Sequence, residues 1–471
     1  MFDILAALGT PDHEAYVTWI SFVATRGETP GGRYLSERGL TALATRMGFS
    51  PQLSALWWQG VRGLRAPWQS LPLTDETGVP VRLPMCAYHG LAMQVVYADY
   101  GPVLRPGGLD FLPVPPGIVA EELRHEAVAS CLLDGLPVER DAALEMLETG
   151  RLPVTRAERA VLNVHRVLRD LMPPGPALTP RWIFELHRAL MDGVAEVADS
   201  VGRLRQGGET VVAKGAAPDD VPWPAAEELQ GRLESLCAFA ASKEVMNTRT
   251  DVVDALLIHL WIAYERPFRE GNGRLARVLY YAALRSRHPA WPLVASQVSF
   301  STPFARIPDA YAGMFRDVRA DGNDAGYFVH GSLRVLRSAV RRMLGKVQRA
   351  RGMAAALESR LGKNSLNQRQ LESLSTLRGR PGGLIAIEAY RRRHGVAYQT
   401  ARTDLLRLAE LGLLEQVGSG RAFSFAPSAF LLELSLPAVG GEVTAHERPG
   451  FSALSAMFGD GRREGGDTAG A

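Results

Sequence analysis

The chain's 471 residues suffice for about two to four domains, and a composition 46% hydrophobic and 22% charged indicates sizeable folded cores rather than disorder. Its 53 Lys+Arg against 50 Asp+Glu leave a net charge of +3, too even for bulk charge to point to nucleic acid. Three cysteines without a close pair (Cys86, Cys131 and Cys237) exclude a disulfide framework and a thiolate zinc site, and a cytoplasmic location is expected. The opening MFDILAALGTPDHEAY is acidic where a signal peptide needs a basic segment, and no uninterrupted apolar run is long enough for a membrane helix, so no membrane partner is expected. The ten histidines form neither HxH nor HExxH, which argues against a histidine-built metal site.

In chain order, residues 1–112 mix short helical and extended pieces. Within them Leu40–Leu64 places apolar residues at three-and-four spacing on both sides of a Gly-Phe-Ser turn. This is either a helix-turn-helix over 40–64 or a plain helical hairpin whose Trp57 and Trp58 fill a core. MQVVYADY and the Gly/Pro punctuation around it suggest a small β element between 75 and 110.

Residues 118–350 turn strongly helical, with successive amphipathic or apolar segments. Thr179-Pro180 is a good helix start, Thr as cap and Pro in the first turn. The stretch Arg249–Tyr264 is apolar on most faces after Asp254, as in a helix that its neighbours surround. It runs into ERPFREGNGRLAR, Glu265–Arg277. There Gly271 and Gly273 permit positive φ and close approach, Asn272 can cap the turn or bond a ligand, and the next helix begins. Consecutive N–H groups in such a turn form an anion nest, strengthened by the helix dipole. Arg274 and Arg277, three apart, carry forks suited to phosphate, and Glu270 beside them suits a magnesium ion bridging phosphates. The bland alternative is a tight interhelical turn with solvent-facing arginines.

Residues 351–434 read as a small separate domain of three helices and a two-stranded wing turned by Gly418-Ser419-Gly420, and 435–471 as a largely disordered tail. Arg391, Arg392 and Arg393 precede a turn, and Gln399, Thr400, Arg402 and Thr403 open the following helix, as in a DNA recognition helix. Arg421 at the wing tip would reach a backbone or minor groove, and Leu405, Leu408, Leu411 and Leu413 would face the core.

The string Arg266-Pro267-Phe268-Arg269-Glu270-Gly271-Asn272-Gly273-Arg274-Leu275-Ala276-Arg277 resembles the Fic (Fido) family motif, His-Pro-Phe-x-Asp/Glu-Gly-Asn-Gly-Arg-x-x-Arg, at every motif position except the first. Further resemblances are EAVASCLLDG, the HRALMDGV helix, and VGRLRQGGETVVAKGAAPDDVPWP, similar to the family's Gly-x-x-Arg and flap. Together they span roughly 115–430. The fold this implies is mainly α: a Fic-like helical bundle with a β-hairpin flap, a C-terminal winged helix domain and a mixed N-terminal domain.

The resemblance implies transfer of AMP or a related phosphate-containing group from ATP or a related nucleotide, with Mg, to a hydroxyl of a target protein at the flap. It would make Glu270 the magnesium ligand and Gly271, Asn272, Gly273 and Arg274 the phosphate holders. Arg277 would support the phosphates or hold an inhibitory carboxylate. The family's proton-accepting histidine is here Arg266, which stays protonated and cannot serve as a base. Loss of a general base costs about 10²- to 10⁴-fold in rate. Glu265 should point about 100° away from Arg266 along the helix, and His259 lies nearly two turns deeper. In Ser130-Cys131-Leu132-Leu133-Asp134-Gly135 an aspartate replaces the family's inhibitory glutamate. Its shorter side chain either falls short of Arg277 or keeps the bridge through a small backbone shift. Three readings stay open: a binding or regulatory module with DNA as a partner, a transferase with a relocated base or an acceptor that needs none, or a structural scaffold with no ligand in the loop. A homodimer is compatible with each, since winged domains also dock proteins.

Overall fold

The protein is described by a computed structural model covering residues 34–46, 50–66, 68–84, 104–105, 108–109, 114–171, 177–211, 223–242, 251–287, 294–362, 364–378, 382–418 and 424–434. The segment MQVVYADY, the flap residues 212–222, Arg421 and the tail lie outside the described residues. The chain is mainly helical, and among the described residues no helix is long and apolar enough to cross a membrane.

Two short helices, α1 (Glu37–Arg46) and α2 (Pro51–Arg65), pack together, and α2 buries Trp57 and Trp58. An antiparallel hairpin follows, β1 (Trp68–Thr74) with β2 (Pro80–Pro84), in which Leu71, Leu73, Val81 and Leu83 point into the main core. The hairpin is fixed to that core by backbone bonds in both directions, Arg82 N–H to Asn323 O at 2.8 Å and Ala325 N–H to Arg82 O at 2.8 Å. The small antiparallel pair β3 (Leu104–Arg105) and β4 (Gly108–Leu109) precedes the helical region.

The helical bundle comprises α3 (Pro116–Leu133), α4 (Arg140–Thr149), α5 (Arg156–Asp170), α6 (Pro180–Met191), α7 (Leu229–Ala241), α8 (Asp251–Glu265) and α9 (Asn272–Arg287). It continues with α10 (Ser301–Phe304), α11 (Pro308–Ala320) and α12 (Gly326–Leu361). Helix starts follow local chemistry. Thr155 and Glu158 form a reciprocal capping box on α5, and Thr179 accepts from Trp182 N–H with Pro180 in the first turn of α6. Helix α8 is buried along nearly its whole length, as its apolar composition requires, and it packs most extensively on α9. This antiparallel pair holds the Glu265–Arg277 loop at one end of the core. The buried carboxylate of Glu126 on α3 accepts from Ser299 Oγ, Ser301 N–H and Ser301 Oγ, tying α3 to the start of α10.

Helix α12 has 36 residues, about 54 Å at 1.5 Å per residue, and serves two cores. Its side chains up to Met343 pack in the bundle, while Met353 and Leu357 belong to a second core with Leu374, Tyr390, Leu405, Leu408, Leu413 and Phe425. That second unit holds α13 (Gln368–Arg378), β5 (Ile385–Ala386), α14 (Ile387–His394), α15 (Tyr398–Glu410), β6 (Leu414–Val417), β7 (Ser424–Pro427) and α16 (Ala429–Glu433). Its sheet has the order β5-β7-β6, antiparallel throughout. Leu405, Leu408 and Leu413 are fully buried and Leu411 partly so, which turns the opposite face of α15 to solvent.

Candidate functional site

The loop after α8 begins with a backbone reversal at an unusual residue. Arg266 has φ +46°, a left-handed conformation that costs a non-glycine residue about 1–3 kcal/mol and persists only where its surroundings fix it. Arg205 supplies that restraint: its Nε donates to Arg266 O at 3.0 Å and its backbone N–H to Pro267 O at 2.9 Å. The Arg266 side chain then lies over the Trp223 ring, with its guanidinium carbon 4.3 Å from the centroid. Arg266 and Trp223 both line a cavity of about 280 Å³ whose floor is the Gly271–Arg274 turn.

Three side chains shape the turn. Asn272 uses both ends of its amide on Phe268, accepting from its N–H at 3.0 Å and donating to its O at 2.7 Å, so it closes the loop. His187 on α6 stacks on Phe268 at 3.9 Å, and its Nδ1 accepts from Gly202 N–H at 2.9 Å. That leaves Nε2–H to donate to Glu270 O at 2.9 Å, so the ring must be neutral to make both bonds. Burial, with Arg274 and Arg188 nearby, pushes its pKa down to about 4 despite the bond to Glu270 O. Gly271 has φ +78°, which strains any residue with a side chain, and a Cβ there would lie 2.6 Å from Met191 Sδ, so the methionine would have to shift.

Beyond the turn, the two arginines of α9 converge on one carboxylate. Arg274 Nε donates to Asp134 Oδ2 at 2.9 Å and Arg277 Nη2 to Asp134 Oδ1 at 2.5 Å. Arg277 is anchored further by Ser130, through its Oγ at 2.6 Å and its O at 2.8 Å. The aspartate therefore does reach, because α3 ends at Leu133 and places Asp134 directly above Gly273, where any side chain would collide with the carboxylate. Burial opposes ionisation of Asp134, but the two guanidiniums outweigh it and hold its pKa below the ordinary carboxylate value. Arg274 Nη1 is buried without a hydrogen-bond partner.

Glu270 is buried at the rim. Its Oε1 accepts from Glu196 N–H at 2.7 Å, and Arg156 Nη2 lies 3.7 Å from Oε2. Among the described residues no cluster of three or more His, Cys, Asp or Glu could cage a metal. Glu270 is the carboxylate that lines this cavity beside the turn, and its Oε2 is the oxygen without a hydrogen bond at under 3.5 Å among the described residues.

Neither neighbouring acid–base group faces the cavity. Glu265 turns to Arg232, 3.3 Å away, and burial raises its pKa to about 7. His259 is fully buried, shares a 2.7 Å hydrogen bond with the Tyr311 hydroxyl, and burial keeps it neutral. The residues of α15 lie elsewhere: Gln399, Thr400, Arg402 and Thr403 are exposed together on its outer face. Of the preceding arginines, Arg391 and Arg392 pair with Glu388, and Arg393 donates to Thr376 Oγ1 at 3.0 Å.

Pattern reading passed over His187, Arg205, Trp223 and Arg319 as site residues. Arg205 had a signal in Gly202-x-x-Arg205. The others sit on separate segments, and only folding makes them neighbours of the loop. Arg319 stacks on Tyr264 at 3.9 Å and pairs with Glu76 at 2.9 Å at the cavity edge.

Residues 177–284 match the model of the Fic/DOC family. No curated protein matches the sequence. Among solved structures, the chain is similar to a Fic family protein from Desulfovibrio desulfuricans, at 18% identity and TM-score 0.48, over 73% of this chain and 96% of that one. It is also similar to Fic-1 from C. elegans, at 14% identity and TM-score 0.42, over 63% and 78%. A third is IbpAFic2 covalently tethered to Cdc42, at 16% identity and TM-score 0.31, over 65% and 86%.

Because protonation of the buried His187 ring would cost the bond that its Nδ1 accepts from Gly202 N–H, unfolding free energy should rise with pH between about 4 and its unfolded value near 6.5. The stability is complete above about 6.5 and lost as pH falls toward 4. Denaturant titrations of wild type and His187→Gln across this window should differ in slope by one proton, about 1.4 kcal/mol per pH unit. Parallel slopes would contradict this assignment.

Proposed function

Starting from the Fic/DOC domain at 177–284, we propose that this protein binds the phosphates of a nucleotide, ATP or a relative, in the cavity above Gly271–Arg277, and works as a binding or regulatory module. The observation that carries this reading is the buried guanidinium pair Arg274 and Arg277, which already grips one carboxylate while Arg274 Nη1 has no partner. Guanidinium forks in a desolvated site exchange a carboxylate for a phosphate readily, since both present oxygens to the same donors. Asp134 is then the occupant a phosphate must compete with. His187 and Asn272 keep the loop in shape, and the Gly271–Gly273 amides add to the anion nest. Glu270 would hold magnesium, which when bound neutralises phosphate charge.

Arg266 stands where the family's motif has its proton-accepting histidine. A guanidinium cannot take a proton from an attacking hydroxyl, and neither Glu265 nor His259 faces the cavity to replace it. One observation favours transfer as a second reading: Arg266 lines the cavity rather than leaving it, and a cation there could position an acceptor that is already ionised.

The C-terminal unit is proposed to be a winged helix that binds DNA through α15. Its three helices, antiparallel sheet and exposed Gln399, Thr400, Arg402 and Thr403 support this. With Arg391 and Arg392 paired to Glu388, the exposed side chains of α15 are the ones proposed to contact DNA.

Calorimetric titration with ATP and magnesium should give saturable binding to wild type. Arg274→Ala should weaken it about tenfold or more, as loss of a charged hydrogen bond implies. Asp134→Ala should bind more tightly while losing about 3 kcal/mol of stability, because two buried cations lose their counter-charge. Affinity that none of these substitutions moves would sink the pocket.

With labelled ATP and a cell lysate, wild type should leave proteins unlabelled and Arg266→His should label them. Labelling by the wild type would replace the binding reading with the transferase one. For the C-terminal unit, Arg402→Ala should lower DNA affinity about three- to tenfold relative to Arg360→Ala, an exposed control, and lessen the salt dependence. An unchanged affinity would remove α15 as the reader of DNA.

A further inference from the structure

A second and larger cavity lies away from the loop. It encloses about 950 Å³ between the N-terminal end of α3, the distal half of α12, and α13 of the C-terminal unit. Its walls are apolar at Ile118, Met353 and Leu371, while Lys346, Arg349, Arg351, Arg378 and Arg393 bring positive charge against the carboxylates of Glu121 and Glu372. Seams between folded units, with apolar walls and a few charged groups, are where small-molecule sites concentrate.

The charges are not equally engaged. Lys346 is held by Glu121 at 3.2 Å and Glu122 at 2.9 Å, Arg378 donates to Leu434 O at 2.7 Å, and Arg393 bonds Thr376. Glu372 is turned away from these cations: its Oε2 lies 2.8 Å from where a Cβ on Gly117 would be, in the first turn of α3. There it complements the positive end of the α3 dipole. Among the described residues Arg349 and Arg351 form no hydrogen bond or ion pair. Arg351 is partly buried, and burial alone shifts its pKa, downward. Arg349 is exposed, and both guanidiniums, having no counter-charge, are open to a bound anion.

We propose that this cleft is a binding site for a small amphipathic anion, an apolar body bearing a phosphate, sulfonate or carboxylate group, and that it acts as an effector site. The apolar walls take the body, and Arg349 and Arg351 take the charge. The effector role follows from α3, whose first turn forms one wall of the cleft and whose last residue precedes Asp134. An anion held by Arg349 and Arg351 adds a second negative charge near Glu372 at the α3 N-terminus, and a shift of that helix moves the carboxylate that Arg274 and Arg277 hold. The same C-terminal unit also grips the far side of this segment, since Arg392 Nη1 donates to Thr149 O at the end of α4. The effector role rests on the phosphate site proposed above, whereas the binding site does not.

The test uses the full chain and two fluorescent probes, anilinonaphthalene sulfonate and its uncharged counterpart phenylnaphthylamine. The sulfonate should bind saturably, and the double variant Arg349→Glu/Arg351→Glu should weaken it about tenfold or more, as removal of a charge-assisted contact implies, while the neutral probe is unaffected. These arginines hold no structural bond, so the variant should melt with wild type. Arg274→Ala should keep sulfonate binding even where it abolishes ATP binding, which separates this site from the loop. Sulfonate affinity unchanged by charge reversal, or both probes weakened equally, would overturn the site. Saturating sulfonate should shift the ATP dissociation constant of wild type at least about threefold, and leave that of the double variant in place. An unshifted constant would overturn the effector role.

Discussion

One carboxylate organises the best-defined part of this molecule. Asp134 sits between Arg274 and Arg277 over Gly273, and it joins the end of α3 to the start of α9. Each component requires the others. The guanidiniums are buried and need a counter-charge, the carboxylate needs a neighbour without a side chain, and α3 must end at Leu133 to deliver it. Ser130, one turn earlier on α3, completes the clasp on Arg277. The site already holds one anion, the Asp134 carboxylate, and this is the physical basis for the proposal that a phosphate competes for the same guanidiniums.

The loop that carries the arginines is shaped from outside itself. Arg205 fixes the reversal at Arg266, and His187 fixes the backbone at Glu270, both reaching from segments before α7. The consequence is a turn with little freedom of its own, whose remaining variable is the group at position 266. There a guanidinium lies over Trp223 and lines the cavity. On the proposed reading, binding and proton transfer are separable functions of this loop, since different side chains carry them.

Helix α12 gives the two cores a common shaft, and the seam beside it is imperfectly filled. A continuous helix transmits position between units better than a flexible linker does. Contacts at Gly117 and Thr149 place the C-terminal unit against both ends of the segment that presents Asp134. Occupancy of the C-terminal unit and of the anion site are therefore mechanically connected in the proposed scheme.

Much of this was legible in the sequence. Apolar periodicity and the Thr155 and Thr179 caps are local signals, so the helices around the loop could be placed from them. The spacing of Gly271, Gly273, Arg274 and Arg277 placed a turn there with two guanidiniums beside it, because glycine conformations and i,i+3 neighbours are set within a few residues; anion binding by that turn remains the proposed reading. Asn272 was ambiguous, since capping and ligand binding use the same amide, and only the 2.7 and 3.0 Å bonds to Phe268 resolve it. Whether Asp134 reached Arg277 could not be read either. A one-methylene deficit is smaller than the freedom in placing one helix end against another, and that placement is set by packing across the whole core. The sequence by itself thus determined the helices, the close spacing of Gly271, Gly273, Arg274 and Arg277, and that no proton-accepting nitrogen stands at position 266. Tertiary structure alone decided which carboxylate meets which guanidinium and where Arg266 points, because those distances depend on long-range packing that no local pattern encodes.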